Sequence, residues 1–162
     1  MATVEETLAE MGITLPTPGA PLAAYVPFVR TGNQLFVSGQ LPLGIDPLPK
    51  GQLTAADHVD GAAPEGSTLA AAQVAARQCA INAIAQAKIA AGDLDAIARV
   101  VKLVGFVNSA ADFQQQHLVV NGASELMQSA FGEKGKHARS AVGVAALPMG
   151  VIVEVEAIFE LA

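Results

Sequence analysis

Arg139, Glu154 and Glu156 have the clearest chemistry to offer, and all three fall in the closing stretch KHARSAVGVAALPMGVIVEVEAIFEL, residues 136–161. Two apolar runs flank Leu147-Pro148. An arginine stands at the mouth of the first and carboxylates lie inside the second, where a plain core strand carries neither. A guanidinium presents a planar fork of donors that fits a carboxylate with two parallel hydrogen bonds, which lysine cannot reproduce. Strand alternation puts Ala141 and Gly143 on the face of Arg139, and these small residues leave room beside the fork. Two roles are open to Arg139: anchoring a small carboxylate, or forming a structural ion pair with Glu154 or Glu156 on an adjacent strand.

Along 151–161 the odd positions read Val, Val, Val, Ala, Phe and Leu, and the even positions Ile, Glu, Glu, Ile and Glu. Such regular alternation predicts a strand with one core face and one acidic face. Ile152 and Ile158 share the acidic face, as on a surface partly covered by a neighbouring subunit. The basic cluster GEKGKHAR holds Lys134, Lys136 and His137, which either draw small anions toward Arg139 or form an ordinary solvated loop. His58, His117 and His137 have no partners at ligand spacing, so no metal site is expected. Neither GxGxxG nor GxxxxGK[ST] occurs, and Ser38 in VSGQ belongs to no GxSxG elbow.

The elements that must position these residues are legible in outline. Residues 3–11 suit a short helix, with Thr3 as cap and Glu6 three positions on. LPTPGAPLAAYVP is proline-punctuated and extended, and FVRTGNQLFVSGQLP reads as two strands around Thr31-Gly32-Asn33. Residues 43–67 form a long Pro/Gly-rich loop. A helix spans 67–91 between a Ser67 or Thr68 cap and Gly92, with Leu69, Ala72, Ala76, Cys79, Ala80, Ala83, Ala87 and Ala90 on one smooth stripe. Cys79 in that stripe reads as buried filler. Gln78, Asn82 and Gln86 line another face. IARVVKLVGFVN (97–108) reads as a central strand, and Asp112 is a candidate cap for a second helix reaching Phe131. The order β-β-α-β-α-β-β predicts an α+β domain over residues 1–162, with two helices on one face of a mixed sheet.

Composition bounds the function. Hydrophobic residues supply 52% of the 162 positions, which argues against disorder, while aromatics supply only 4%, leaving few large anchors and favouring burial by oligomerisation. A net charge of −6 repels phosphate backbones, so nucleic acid is a disfavoured partner. One cysteine excludes an internal disulfide. MATVEETLAEMG lacks the order of a signal peptide, and no apolar run approaches the ~20 residues needed to span a bilayer, so a cytoplasmic protein is expected.

From about Tyr25 to Ile158, the segments NQLFVSGQLP, VVKLVGFVNSAADF, VNGASELMQSAFG and HARSAVGVAALPMGVIVEVEAI occur in order. With the closing pattern R-S-x-V-x-V-x-x-L-P followed by E-x-E-A, this resembles the reactive-intermediate deaminase family, also called RidA/YjgF/L-PSP. The resemblance implies chorismate-mutase-like subunits assembled as homotrimers, with ligand sites in the clefts between subunits and no cofactor. It also implies hydrolysis of 2-imino acids to 2-oxo acids and ammonia. Position by position, Arg139 corresponds to the carboxylate clamp and Glu154 to the acid beside the reacting carbon. Ser38 and the Gly39 amide lie near the ligand, Tyr25 supplies the aromatic wall, Asn121 stands nearby, and Ala141 contributes its main chain. The extra residues 1–24, the 43–67 loop, and Gly143 where many members carry glutamate mark a longer branch. A non-catalytic trimeric binder of 2-oxo acids is the rival implied by the same resemblance, and an endoribonuclease or translation inhibitor a weaker third.

Overall fold

The computed structural model describes residues 2–19 and 23–162, so part of the extended 14–26 stretch lies outside the described residues. Helix α1 (Val4–Glu10) starts as its sequence dictates. Thr3 Oγ1 accepts from the Glu6 amide while Glu6 returns the bond to the Thr3 amide, a closed capping box. Val4 and Leu8 enter the core, so the amino-terminal segment is part of the folded body rather than an appendage. Polar contacts lock it there. The Val4 amide donates to Asp95 (3.1 Å), Glu5 accepts from the Leu94 amide (3.2 Å), and Lys88 pairs with Glu5.

Strands β1 (Phe28–Thr31) and β2 (Gln34–Gln40) form the expected hairpin, with Gly32 at φ 58° where a side chain is disfavoured. Helix α2 (Thr68–Ala91) is capped by Ser67 and lays its alanine stripe on the sheet; every residue of that stripe except Ala90 is fully buried. Next come strand β3 (Ile97–Asn108), helix α3 (Gln116–Phe131), strand β4 (Ala138–Val144) and strand β5 (Val153–Leu161). The sheet order is β1-β2-β5-β3-β4, with β3 and β4 parallel and the other pairs antiparallel. Parallel neighbours cannot be joined by a hairpin, and α3 provides the crossover. The strand read as central, β3, is interior, while β5 holds the middle position.

Small residues let the layers close. A methyl added at Gly122 would lie 2.0 Å from the backbone oxygen of Gln73 in α2, and one at Gly105 would lie 2.3 Å from Val120. The Asn121-Gly122 pair, a weak spot by helix propensity, is therefore where α3 touches α2.

Two expectations need correction. Asp112 does not cap α3; its carboxylate accepts from the Ala55 amide (3.3 Å), and the helix begins at Gln116 after Phe113 has been buried. Ile152 does not share the acidic face, because it precedes β5 and sits in the core. The 43–67 loop is anchored: Leu53 is fully buried and bridges Ser109, Lys50 bridges Val151, and Gln115 clasps both backbone groups of Val59 at 2.8–2.9 Å. Among the described residues no helix is long and apolar enough to cross a membrane.

Candidate functional site

Register assigns each candidate residue to a face. Arg139 stands opposite Leu103, which is buried, and Ala141 opposite Gly105, which meets α3. The Arg139 row therefore faces the helices. Glu154 pairs with Phe106 and Glu156 with Val104, on the intervening positions of β3, and so both lie on the opposite face. With β3 between β4 and β5 as well, the anticipated ion pair from Arg139 to Glu154 or Glu156 does not form; they are neither on adjacent strands nor on one face.

Arg139 is held by α3 instead. Nη1 donates to Asn121 Oδ1 (2.9 Å) and Ser124 Oγ (3.2 Å), and Nη2 donates to the His117 carbonyl (3.1 Å). Residues 117, 121 and 124 lie one helical turn apart in succession, so one stripe of α3 supplies all three acceptors. That spacing is present in the sequence, where the family resemblance points to Asn121 alone of the three. Of five donors, Nε–H and one on Nη2 remain without a protein partner among the described residues, and these two nitrogens form the side-on fork used for carboxylates.

His137 supports the arrangement from behind. Its Nδ1 lies 2.6 Å from the Gly135 carbonyl, which can only accept, so Nδ1 carries the proton and Nε2 accepts from the Ser124 hydroxyl at 2.9 Å. Burial, aided by the Arg139 charge and opposed by the Gly135 bond, holds His137 below the ordinary histidine value. The room expected beside Gly143 is occupied: an added methyl would meet Ser109 Oγ at 2.5 Å and Gln116 Nε2 at 3.0 Å. A larger side chain at that position requires this pair to move.

The second group gathers where β2 bulges away from β5, between Val37 and Gln40. Ser38 Oγ donates to the Val26 carbonyl (2.8 Å) and the Ser38 amide to that of Pro27 (2.9 Å), which ties the bulge to the chain beside Tyr25. Gly39 lies directly against Glu154, and Tyr25 and Gly39 line one cavity. Burial, reinforced by the neighbouring Glu156, raises Glu154 above the ordinary carboxylate value. Cys79 is inert filler; burial first and the Glu154 charge second push its thiol well up.

The sequence-derived site residues thus fall into two sets. Arg139, Asn121 and Ala141 are at the β4 edge under α3; Tyr25, Ser38, Gly39 and Glu154 are around the β2 bulge and the open face. The open face, turned away from α2 and α3, carries Phe36, Ile158, Val104, Phe106 and Val142 among its acids.

Over residues 5–161 the chain matches the family described as "YjgF/chorismate_mutase-like, putative endoribonuclease". It is 48% identical to Protein TCP17 of Trypanosoma cruzi over 160 residues, which is 98% of this chain and 94% of that protein. The crystal structure of the protein Atu1372 from Agrobacterium tumefaciens is similar at TM-score 0.81 and 46% identity, covering 99% of this chain and 94% of that one. RidA from the Antarctic bacterium Psychrobacter sp. PAMC 21119 is similar at TM-score 0.56 and 29% identity, covering 90% and 94%. Other solved relatives are described as "a putative endoribonuclease" and "a putative translation initiation inhibitor". The chain belongs to the YjgF/RutC family, and its three helices and five-stranded mixed sheet form the family's chorismate-mutase-like fold.

Proposed function

We propose that the protein hydrolyses reactive 2-imino acids to 2-oxo acids and ammonia in a homotrimer. Each site takes Arg139, Asn121 and the Ala141 backbone from one copy and Tyr25, Ser38, Gly39 and Glu154 from its neighbour. The observation that carries the reading is the Arg139 fork: α3 fixes three of its donors and leaves the carboxylate-binding pair free at a sheet edge. The division of the other residues between two faces supports completion of the site by a second copy, whose docking would also cover the apolar residues of the open face.

The chemistry asked of the protein is modest. Arg139 binds the substrate carboxylate and aims the C=N carbon at a water molecule. Glu154, its proton affinity raised by burial, accepts a proton as water adds to that carbon and returns one to the nitrogen. The C–N bond of the resulting carbinolamine then breaks, giving the 2-oxo acid and ammonia. The charge-assisted clamp contributes roughly 1.5–3 kcal/mol, about tenfold to a hundredfold in affinity. Phosphodiester cleavage is not supported: net charge is −6, and the open face carries the carboxylates of β5.

The test uses an amino-acid oxidase to generate imine and follows its decay. Arg139→Ala and Glu154→Gln each lose most activity as homogeneous assemblies. Co-expressed in equal amounts, they recover up to about a quarter of wild-type activity, because a quarter of randomly formed interfaces in a closed ring pair an intact arginine with an intact glutamate. Wild-type hydrolysis by Arg139→Ala would refute its role as clamp. No recovery on co-expression would refute the shared site. Ligand protection in a melt without any rate enhancement would identify a 2-oxo-acid binder instead.

A further inference from the structure

A cavity of about 330 Å³ lies between the Pro16–Gly19 segment, the end of β2 and the flank of α2. Its walls are mainly apolar, from Pro16, Pro18, Leu41, Leu43 and Ala85, and none of its described lining residues is charged. The volume is at the lower end of the range for small-molecule sites, roughly 300–1,000 Å³.

One polar side chain lining this cavity has an amide uncommitted among the described residues. Gln86 lines it, is only 6% exposed, and makes no hydrogen bond through either end of its amide among the described residues. Two of its polar neighbours are already committed. Asn82 donates to the carbonyls of Leu41 and Leu43 (both 2.9 Å) and accepts from Gln78 (3.0 Å), while Gln40 donates to the Ser38 carbonyl (2.9 Å). A mostly apolar group carrying one hydrogen-bonding end fits these walls. The cavity also shares Tyr25 and Gly39 with the Glu154 group, so it adjoins the position assigned to the reacting carbon.

We infer that this cavity receives the substrate's side chain, and that the favoured substrates are 2-imino acids with a large, uncharged side chain ending in a hydroxyl or amide that pairs with Gln86. The inference rests on the imine-hydrolysis reading above. It assigns the amino-terminal segment, through Pro16 and Pro18, a part in specificity. Acidic and basic side chains are disfavoured because no described lining residue carries a charge to pair with them.

The test compares imines made by an L-amino-acid oxidase from tyrosine, leucine and alanine. Wild type favours the tyrosine-derived over the alanine-derived imine by about tenfold or more in kcat/KM. Ala85→Leu, which fills the cavity, lowers that preference about tenfold; Gln86→Met, which keeps the shape and removes the amide, lowers the tyrosine-to-leucine preference by a similar factor. Unchanged ratios in both variants would overturn the inference while leaving imine hydrolysis standing. If no imine is hydrolysed, the hydrolysis reading falls, and melting shifts with 4-hydroxyphenylpyruvate against pyruvate decide the cavity's role. A larger shift for the former that Ala85→Leu abolishes supports occupancy, and equal shifts overturn it.

Discussion

Gly39→Ala isolates the contribution of Glu154 without removing any functional group. The residue is not in the left-handed region, so its glycine is required for space rather than for backbone freedom. An added methyl would lie 1.9 Å from Glu154 Oε1, so the carboxylate must retreat by about 1.5 Å to reach ordinary contact distance. The obstacle is the end of a flexible side chain, and the fold should tolerate the change, with a melting temperature within a few degrees of wild type. Catalysis should not. A displacement of about 1 Å in a reacting group can cost on the order of a hundredfold, so kcat should fall by one to two orders of magnitude. KM should change little, because Arg139 holds the carboxylate from α3 and β4. The assay is imine decay with oxidase-generated substrate, run beside a melt and a crystal structure of the variant. A displaced Glu154 with kcat within twofold of wild type would refute its role in proton transfer.

Gly122→Ala should destabilise the fold by at least about 1–3 kcal/mol, because backbone at 2.0 Å cannot yield as a side chain does; denaturant unfolding measures this. Glu154→Gln should raise the melting temperature near neutral pH while lowering kcat. The folded-state pKa of Glu154 is raised, so the folded chain binds more protons than the unfolded one just above the ordinary carboxylate value, and stability falls as pH rises through the folded pKa. Melting curves against pH should show that decline in wild type and a shallower one in the variant. Arg139→Lys should bind 2-oxo acids about tenfold or more weakly despite keeping its charge, since an ammonium cannot replace the fork; calorimetry reads the difference.

The features legible in the sequence are those set by local periodicity. Alternation along β5 placed Val153, Val155, Ala157, Phe159 and Leu161 in the core, and all are buried. The alanine stripe of α2 and the Thr3–Glu6 box were equally local. What alternation cannot supply is the relation between strands. Whether Arg139 and Glu154 share a face depends on β3 lying between β4 and β5, a non-local pairing that no short-range pattern encodes. Asp112 misled for a similar reason: burial of Phe113 and the bonds from Gln116 to Phe113 and Ser109 moved the helix start, and these tertiary terms outweighed a good cap residue.

The small residues that make the composition so poor in large anchors also set the candidate site. Gly105 and Gly122 bring α3 down onto β3 and α2, and only at that depth does the stripe of His117, Asn121 and Ser124 reach the guanidinium. Gly39 does for Glu154 what Gly122 does for Arg139: it removes a Cβ from the place the functional group, or its support, must occupy. Fold and site therefore share determinants at these positions. Gly122→Ala should weaken 2-oxo-acid binding as well as stability, because Asn121 immediately precedes it and moves with the displaced turn. A variant that unfolds more easily yet binds the 2-oxo acid as wild type does, measured well below its melting temperature, would show that the tether to α3 is not what readies Arg139 for its ligand.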